Sequence, residues 1–213
     1  MDGQNLQFIT NPKAYLEKNA IVCYTGEAAQ KSDVNRISGN TLAVTQEFNT
    51  TVEFDLVRNR IGYIDLKILG GTGTYGGTGR RGRAIVGNYI PYLGQKDNAP
   101  SSTNFGRINL SQVTTNYVFT FTFTGCNFVV TREGGSVYVY HEPTAGVWTG
   151  SVASRYSGAT ILHERIGPAY DARTNSGFGC LVRASGTRWI AYVQTPNGIK
   201  MSKDRLSETV IDI

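Results

Sequence analysis

Residues 118–124 read VFTFTFT, with Phe119, Phe121 and Phe123 alternating with Thr120, Thr122 and Thr124. Alternation at every second residue is the period of a β-strand with one apolar and one polar face. Gly125 breaks the run; a second β-rich stretch, 127–131, leads into Arg132-Glu133-Gly134-Gly135, and a third, 136–141, leaves it. Two such stretches joined by glycines predict a hairpin. Further β-rich runs occupy 42–48, 51–57, 60–69 and 83–90, a second hairpin is expected from 178–184 and 187–193, and a last short strand from the tail 200–213. Helix signals are sparse. Asn11-Pro12 ahead of 13–18 offers an N-cap and a proline at the first helical position, and 27–31 allows one more turn. The expected fold is a single α+β domain over 1–213, with a β-sandwich core and a few short helices.

The first hairpin carries one of three cysteines, Cys126, and one of two histidines, His141. Its register decides whether they meet, because successive side chains on a strand face opposite ways. A two-residue Gly134-Gly135 turn sets His141 opposite Phe128 and diagonal to Cys126. A four-residue turn sets it opposite Cys126, and a three-residue turn separates the pair across the sheet. Opposed side chains have Cβ atoms about 5 Å apart and diagonal ones about 7–8 Å. Within that reach a thiolate–imidazolium pair turns a cysteine into a nucleophile near neutral pH. The structural alternative makes Cys126 a small core residue and His141 a strand end. Thr120 has the strand parity of Cys126, which projects it to the same face.

Three cysteines (Cys23, Cys126, Cys180) without a Cys-x-x-Cys spacing make no disulfide framework, and Cys23 and Cys180 sit in apolar runs that read as core. His163, between Leu162 and Glu164, has no nucleophile beside it and reads as structural or exposed. No His-x-x-x-His or Cys/His cluster suggests a metal, and no cofactor is expected. Apolar residues make up 40% of the chain and mean hydropathy is −0.24, as for a soluble globular protein. The N-terminus, with Asp2 and Gln4, lacks the basic-then-apolar order of a signal peptide.

Charge is uneven. Residues 58–107 hold eight basic against two acidic side chains, whereas the rest of the chain holds thirteen against fourteen, so the net +5 comes from that segment. Within it, 70–82 is rich in glycine and reads as a mobile loop; Gly76 is followed by Gly77 and Thr78, not by the Lys-Ser/Thr of a phosphate-binding loop. With Tyr75 as its one aromatic and no repeat, it is not a nucleic-acid tail. Arg80, Arg81 and Arg83 beside it form a candidate docking surface for an acidic partner.

The segment Phe123-Thr124-Gly125-Cys126, the Glu133-Gly134-Gly135 turn and His141 resemble the catalytic segment of the cytotoxic necrotizing factor and Burkholderia lethal factor deamidases. In those proteins a strand ends in Leu-Ser-Gly-Cys and a hairpin ends at the catalytic histidine; here Phe123 and Thr124 replace Leu-Ser. Thr120 matches the threonine that completes the triad in the lethal-factor branch. Segments 51–55, 62–66 and 88–92 fall in the order of similar lethal-factor segments, and Gly177-Phe178-Gly179 resembles a later necrotizing-factor stretch. The resemblance implies a deamidase-toxin catalytic domain that converts a glutamine of a host protein to glutamate. Its implied catalytic residues are Cys126, His141 and Thr120, with Gly125 and Cys126 forming the oxyanion turn. The implied target is a translation-initiation RNA helicase, ahead of a Rho-family GTPase. The chain is then expected to be a monomer made in the bacterial cytoplasm, secreted by a route other than a signal peptide, and active in the host cytosol without membrane or nucleic acid. A chemoreceptor-type glutamine deamidase and a non-enzymatic β-sandwich binding module are the alternatives.

Overall fold

The computed structural model describes residues 3–22, 45–47, 51–69, 84–90, 105–120, 123, 126–142, 158–164 and 177–213. Two helices open the chain, α1 (Gly3–Thr10) and α2 (Pro12–Leu16). The described strands are β1 (Ile21–Val22), β2 (Thr45–Glu47), β3 (Thr51–Arg58), β4 (Ile64–Leu69), β5 (Ile85–Ile90), β6 (Phe105–Asn109) and β7 (Tyr117–Thr120). They continue with β8 (Asn127–Glu133), β9 (Ser136–Glu142), β10 (Thr160–Glu164), β11 (Phe178–Ser185), β12 (Arg188–Gln194) and β13 (Leu206–Asp212). They form an eight-stranded sheet, β1-β4-β3-β5-β7-β11-β12-β13, and a five-stranded sheet, β10-β8-β9-β6-β2. The protein is mostly β with two short helices, as the alternating pattern predicts.

Alternation along the central strands builds two cores on opposite faces of the larger sheet. On one face Phe54, Tyr89, Phe119, Phe178 and Cys180 pack with Phe8 of α1 and Leu16 of α2. Phe8 is fully buried, with its ring 5.6–5.7 Å from those of Tyr15, Tyr117 and Phe119. On the other face Val118, Leu181, Trp189, Ala191 and Val193 meet Phe128, Val130, Val137 and Val139 of the smaller sheet. Strands β11 and β12 lie between these layers and are buried on both sides, which explains their almost continuous apolar sequence.

Polar side chains anchor the N-terminal segment to this frame. Buried Gln194 donates to the carbonyls of Leu16 and Asn19, 2.7 Å each, and accepts from the Ile21 amide at 3.0 Å. It thereby ties β12 to β1, with five strands between them in the sheet order, so the larger sheet curls. Asn5 of α1 donates to Asp55 and accepts from the Leu56 amide, both at 2.8 Å.

The Asn11 side chain caps α2 by accepting from the Ala14 amide at 3.0 Å, with Pro12 in the first turn, as expected. Helix α1 has no counterpart in the sequence pattern because Phe8 and Asn5 are its only buried residues, too few for a periodic stripe. Strand β6 was likewise not anticipated. The expectation for 27–31 lies outside the described residues.

Of the strand expected over 118–124, residues 118–120 lie in β7 of the larger sheet and Phe123 pairs next to β11 of that sheet, while 121, 122 and 124 lie outside the described residues; β8 begins at Asn127 in the smaller sheet. Phe119 belongs to the helix-side core and Phe123 to the inter-sheet core, although equal parity on one strand would give them one face. Phe123 pairs with Gly177, the residue before β11, and its amide donates to the Gly177 carbonyl at 2.7 Å; this is one residue out of step with the Phe119–Cys180 pairing, and the step turns the Phe123 side chain to the other face. The chain therefore passes from one sheet to the other between Thr120 and Asn127.

Candidate functional site

The β8–β9 hairpin settles the register. Glu133 pairs with Ser136 and Phe128 with His141, which is the two-residue turn. Gly134 and Gly135 have φ of 55° and 87°, and a tight hairpin turn with both central residues at positive φ matches the twist of its strands. His141 and Phe128 thus point inward together. Cys126, one residue before β8, packs in the same inter-sheet core and is 8% exposed. The ladder sets His141 opposite Phe128, two residues after Cys126.

Thr120 arrives from the opposite side. It is the last residue of β7, fully buried, and its Oγ1 lies 2.6 Å from His141 Nδ1 and 3.2 Å from the Ile90 carbonyl oxygen. The contact bridges the two sheets. Thr120 and Cys126 therefore share the interior through facing sheets, and not through parity along one strand.

This geometry selects a tautomer. A threonine hydroxyl has one proton, and the Ile90 carbonyl can only accept. Both short contacts are satisfied together when Thr120 donates to Ile90 and accepts the proton on His141 Nδ1. The Nε2 lone pair then remains as the basic site, the form in which an imidazole removes a proton from a nucleophile.

Burial sets the charge. His141 is wholly enclosed, and desolvation pulls its pKa down from 6.5 to about 3. The imidazole is neutral at physiological pH. A standing thiolate–imidazolium pair is disfavoured here, and a neutral imidazole taking the thiol proton during attack is the form this environment supports. Cys180 is also buried, on the helix-side face, where desolvation raises its thiol pKa. It has the core role expected of it.

Aromatic packing fixes the imidazole further. The Phe123 ring lies 4.7 Å from that of His141 and 5.8 Å from that of Phe128. Gly179 of β11 makes room for both: a Cβ there would stand 2.7 Å from Phe123 Cε2 and 3.2 Å from Phe128 Cγ. Gly179→Ala is expected to cost about 1–3 kcal/mol through overpacking, read as a lower denaturant midpoint. An unchanged midpoint would show that the Phe123 ring yields freely and does not hold His141.

Gly179 and the Ile90 carbonyl were not singled out as site residues. Both lie in segments that carry the family resemblance, Gly177-Phe178-Gly179 and 88–92, which was the available signal. His163 takes the structural role: it is buried, its Nδ1 lies 2.9 Å from Thr209 Oγ1, and it joins edge strand β10 to edge strand β13. Gly125, Arg80, Arg81 and Arg83 lie outside the described residues, as does Cys23. Among the described residues no group of three or more His, Cys, Asp and Glu converges on a metal position. A surface groove of about 360 Å³ runs beside the helices, lined by Leu6, Gln7, Thr10 and Lys18 among others, and includes none of Thr120, Cys126 and His141. No protein-family model matches the chain, and a search of curated proteins finds no match.

Proposed function

We propose that the protein is a protein-glutamine deamidase of the necrotizing-factor and lethal-factor type, with Cys126 as nucleophile, His141 as general base and acid, and Thr120 as the residue that orients the imidazole. The observation that carries it is the Thr120–His141 contact at 2.6 Å, with Ile90 fixing the threonine proton, because it leaves Nε2 basic on the histidine that the Cys126 motif requires. In the reaction Cys126 Sγ attacks the carboxamide carbon while its proton passes to His141 Nε2. The C–N bond breaks as that proton moves to the leaving nitrogen, releasing ammonia. Water, deprotonated by Nε2, then attacks the thioester; the C–S bond breaks, the sulfur regains its proton, and glutamate remains. The Cys126 amide, with Gly125 before it in the chain, would face the oxyanion. Converting glutamine to glutamate barely alters shape but adds a full charge, enough to disable an interface or catalytic glutamine in the target. The reading extends to a host translation-initiation helicase as target, ahead of a Rho-family GTPase, with Arg80, Arg81 and Arg83 meeting acidic groups on it.

One observation favours a second reading. His141 has no exposed surface and Cys126 only 8%, as in a binding module whose thiol and imidazole are packing. The experiment that separates the two treats host-cell lysate with the protein and searches by mass spectrometry for glutamine-to-glutamate conversion, with Cys126→Ser as control. Site-specific conversion that requires Cys126 supports the deamidase. With no such conversion, and with Cys126 alkylated by iodoacetamide as slowly as Cys180, the packing role stands.

A further inference from the structure

Two turns far apart in sequence meet at one tip of the molecule. The β3–β4 turn carries Ile61, 65% exposed, and the turn after β12 carries Ile199, 49% exposed. They are adjacent: a Cβ on Gly62 would lie 3.6 Å from Ile199 Cδ1. Both turns are held in shape. Asn59 Oδ1 accepts from the amides of Ile61 and Tyr63 at 3.1 Å each, and Arg58 donates to the Gly62 carbonyl at 3.0 Å. Asn197 and Lys200 exchange both backbone hydrogen bonds at 3.1 Å.

The surroundings of these isoleucines are basic. Residues 58–65 and 195–205 contain Arg58, Arg60, Lys200, Lys203 and Arg205 against Asp204 and Asp65, the latter accepting from the Asn59 side chain at 2.8 Å. Arg58, Arg60, Lys200 and Lys203 are exposed. We propose that the paired Ile61 and Ile199 turns form a docking tip for an anionic bilayer, the isoleucines entering the acyl boundary while the basic ring meets lipid phosphates and carboxylates.

Charge complementarity and shape select the bilayer over a protein. Apolar tips with a lysine- and arginine-rich collar are the composition of interfacial membrane anchors, and each basic residue near an anionic surface adds attraction. A protein interface of ordinary size buries about 800 Å² per partner around aromatic or arginine anchors and is depleted in lysine. Three of the five basic residues are arginines and two are lysines, but the exposed apolar surface is two separate isoleucine tips, far short of that area, whereas a bilayer needs no such area to take them up. The inference is independent of the deamidase chemistry, since none of these residues belongs to that site.

The test is co-sedimentation of the full chain with phosphatidylcholine vesicles, with and without phosphatidylserine. Binding is expected only with phosphatidylserine, and is expected to weaken as salt rises from about 0.1 M to 1 M and the screening length falls from about 10 Å to 3 Å. Paired Ile61→Asp and Ile199→Asp should lower the partition coefficient about tenfold or more, since each isoleucine loses its apolar burial. Paired Arg60→Glu and Lys200→Glu should abolish binding to the phosphatidylserine vesicles. The same tips changed to serine serve if the aspartate variant shows an altered thermal unfolding curve. As a direct readout, an environment-sensitive dye on Ile61→Cys should shift to the blue when vesicles are added. No binding to phosphatidylserine vesicles at low salt overturns the proposal and leaves the tip to an acidic protein, and so does binding that ignores the tip substitutions.

Discussion

Ammonia release from protein glutamine is expected to disappear in Cys126→Ser and to fall by about 10²–10⁴ in His141→Ala, the usual contribution of a positioned general base. Serine keeps the size of the side chain but has a far less acidic nucleophile, so a neutral imidazole does not activate it. Thr120 separates a chemical from a structural role. In Thr120→Val the shape is kept, but His141 Nδ1 faces a methyl group where an oxygen stood at 2.6 Å. A buried polar group stranded in this way costs about 1–3 kcal/mol and no longer fixes the tautomer. Thr120→Ser retains the hydroxyl and should recover most of the activity. Equal ammonia release from wild type and His141→Ala would refute the mechanism, and equal activity in Thr120→Val would assign the orienting task to another group.

A second large effect is expected in acid. Burial holds His141 neutral, with its pKa near 3 against 6.5 for an ordinary histidine. Below pH 6.5 the unfolded chain binds a proton at this residue that the folded chain does not accept until about pH 3. The unfolded state is therefore favoured progressively as pH falls through that window, by up to about 1.4 kcal/mol per pH unit, whereas above pH 6.5 the histidine leaves stability unchanged. Between pH 7 and pH 5 the wild type should lose about 2 kcal/mol more than His141→Gln, which cannot titrate. His163 and the carboxylates are present in both proteins and cancel in the comparison. Urea midpoints at the two pH values provide the measurement. Equal acid losses would mean that the folded protein protonates this imidazole, which is incompatible with its full burial.

The existence and place of the hairpin that carries the candidate site were legible in the sequence. The alternation on either side of Gly134-Gly135 is local information, but it allows turns of two, three or four residues. The folded hairpin has the two-residue turn, which sets Phe128 opposite His141. The β11–β12 pair and the cap on α2 were readable for the same reason, as was the burial of Cys180 within an apolar run, whereas the run expected over 60–69 is strand only from Ile64, residues 60–63 forming the turn from β3.

The relation between Thr120 and His141 was not local. Periodicity gave Thr120 and Cys126 a common strand face, but the chain changes sheets between them, and no pattern of seven residues encodes such a crossing. Phe119 and Phe123 make the difficulty concrete, since they have the same parity and the same apolar character yet occupy cores on opposite sides of the larger sheet. Where each ring goes depends on the one-residue step in pairing with the β11 side and on the space left there by the missing side chain of Gly179. What the sequence determined by itself was the content of strands, the place of one hairpin and the identities of the thiol, imidazole and hydroxyl. The packing of two sheets decided which of these meet, and by excluding water around His141 it also decided that the imidazole is neutral, because desolvation is a property of the assembled core and of no single stretch of chain.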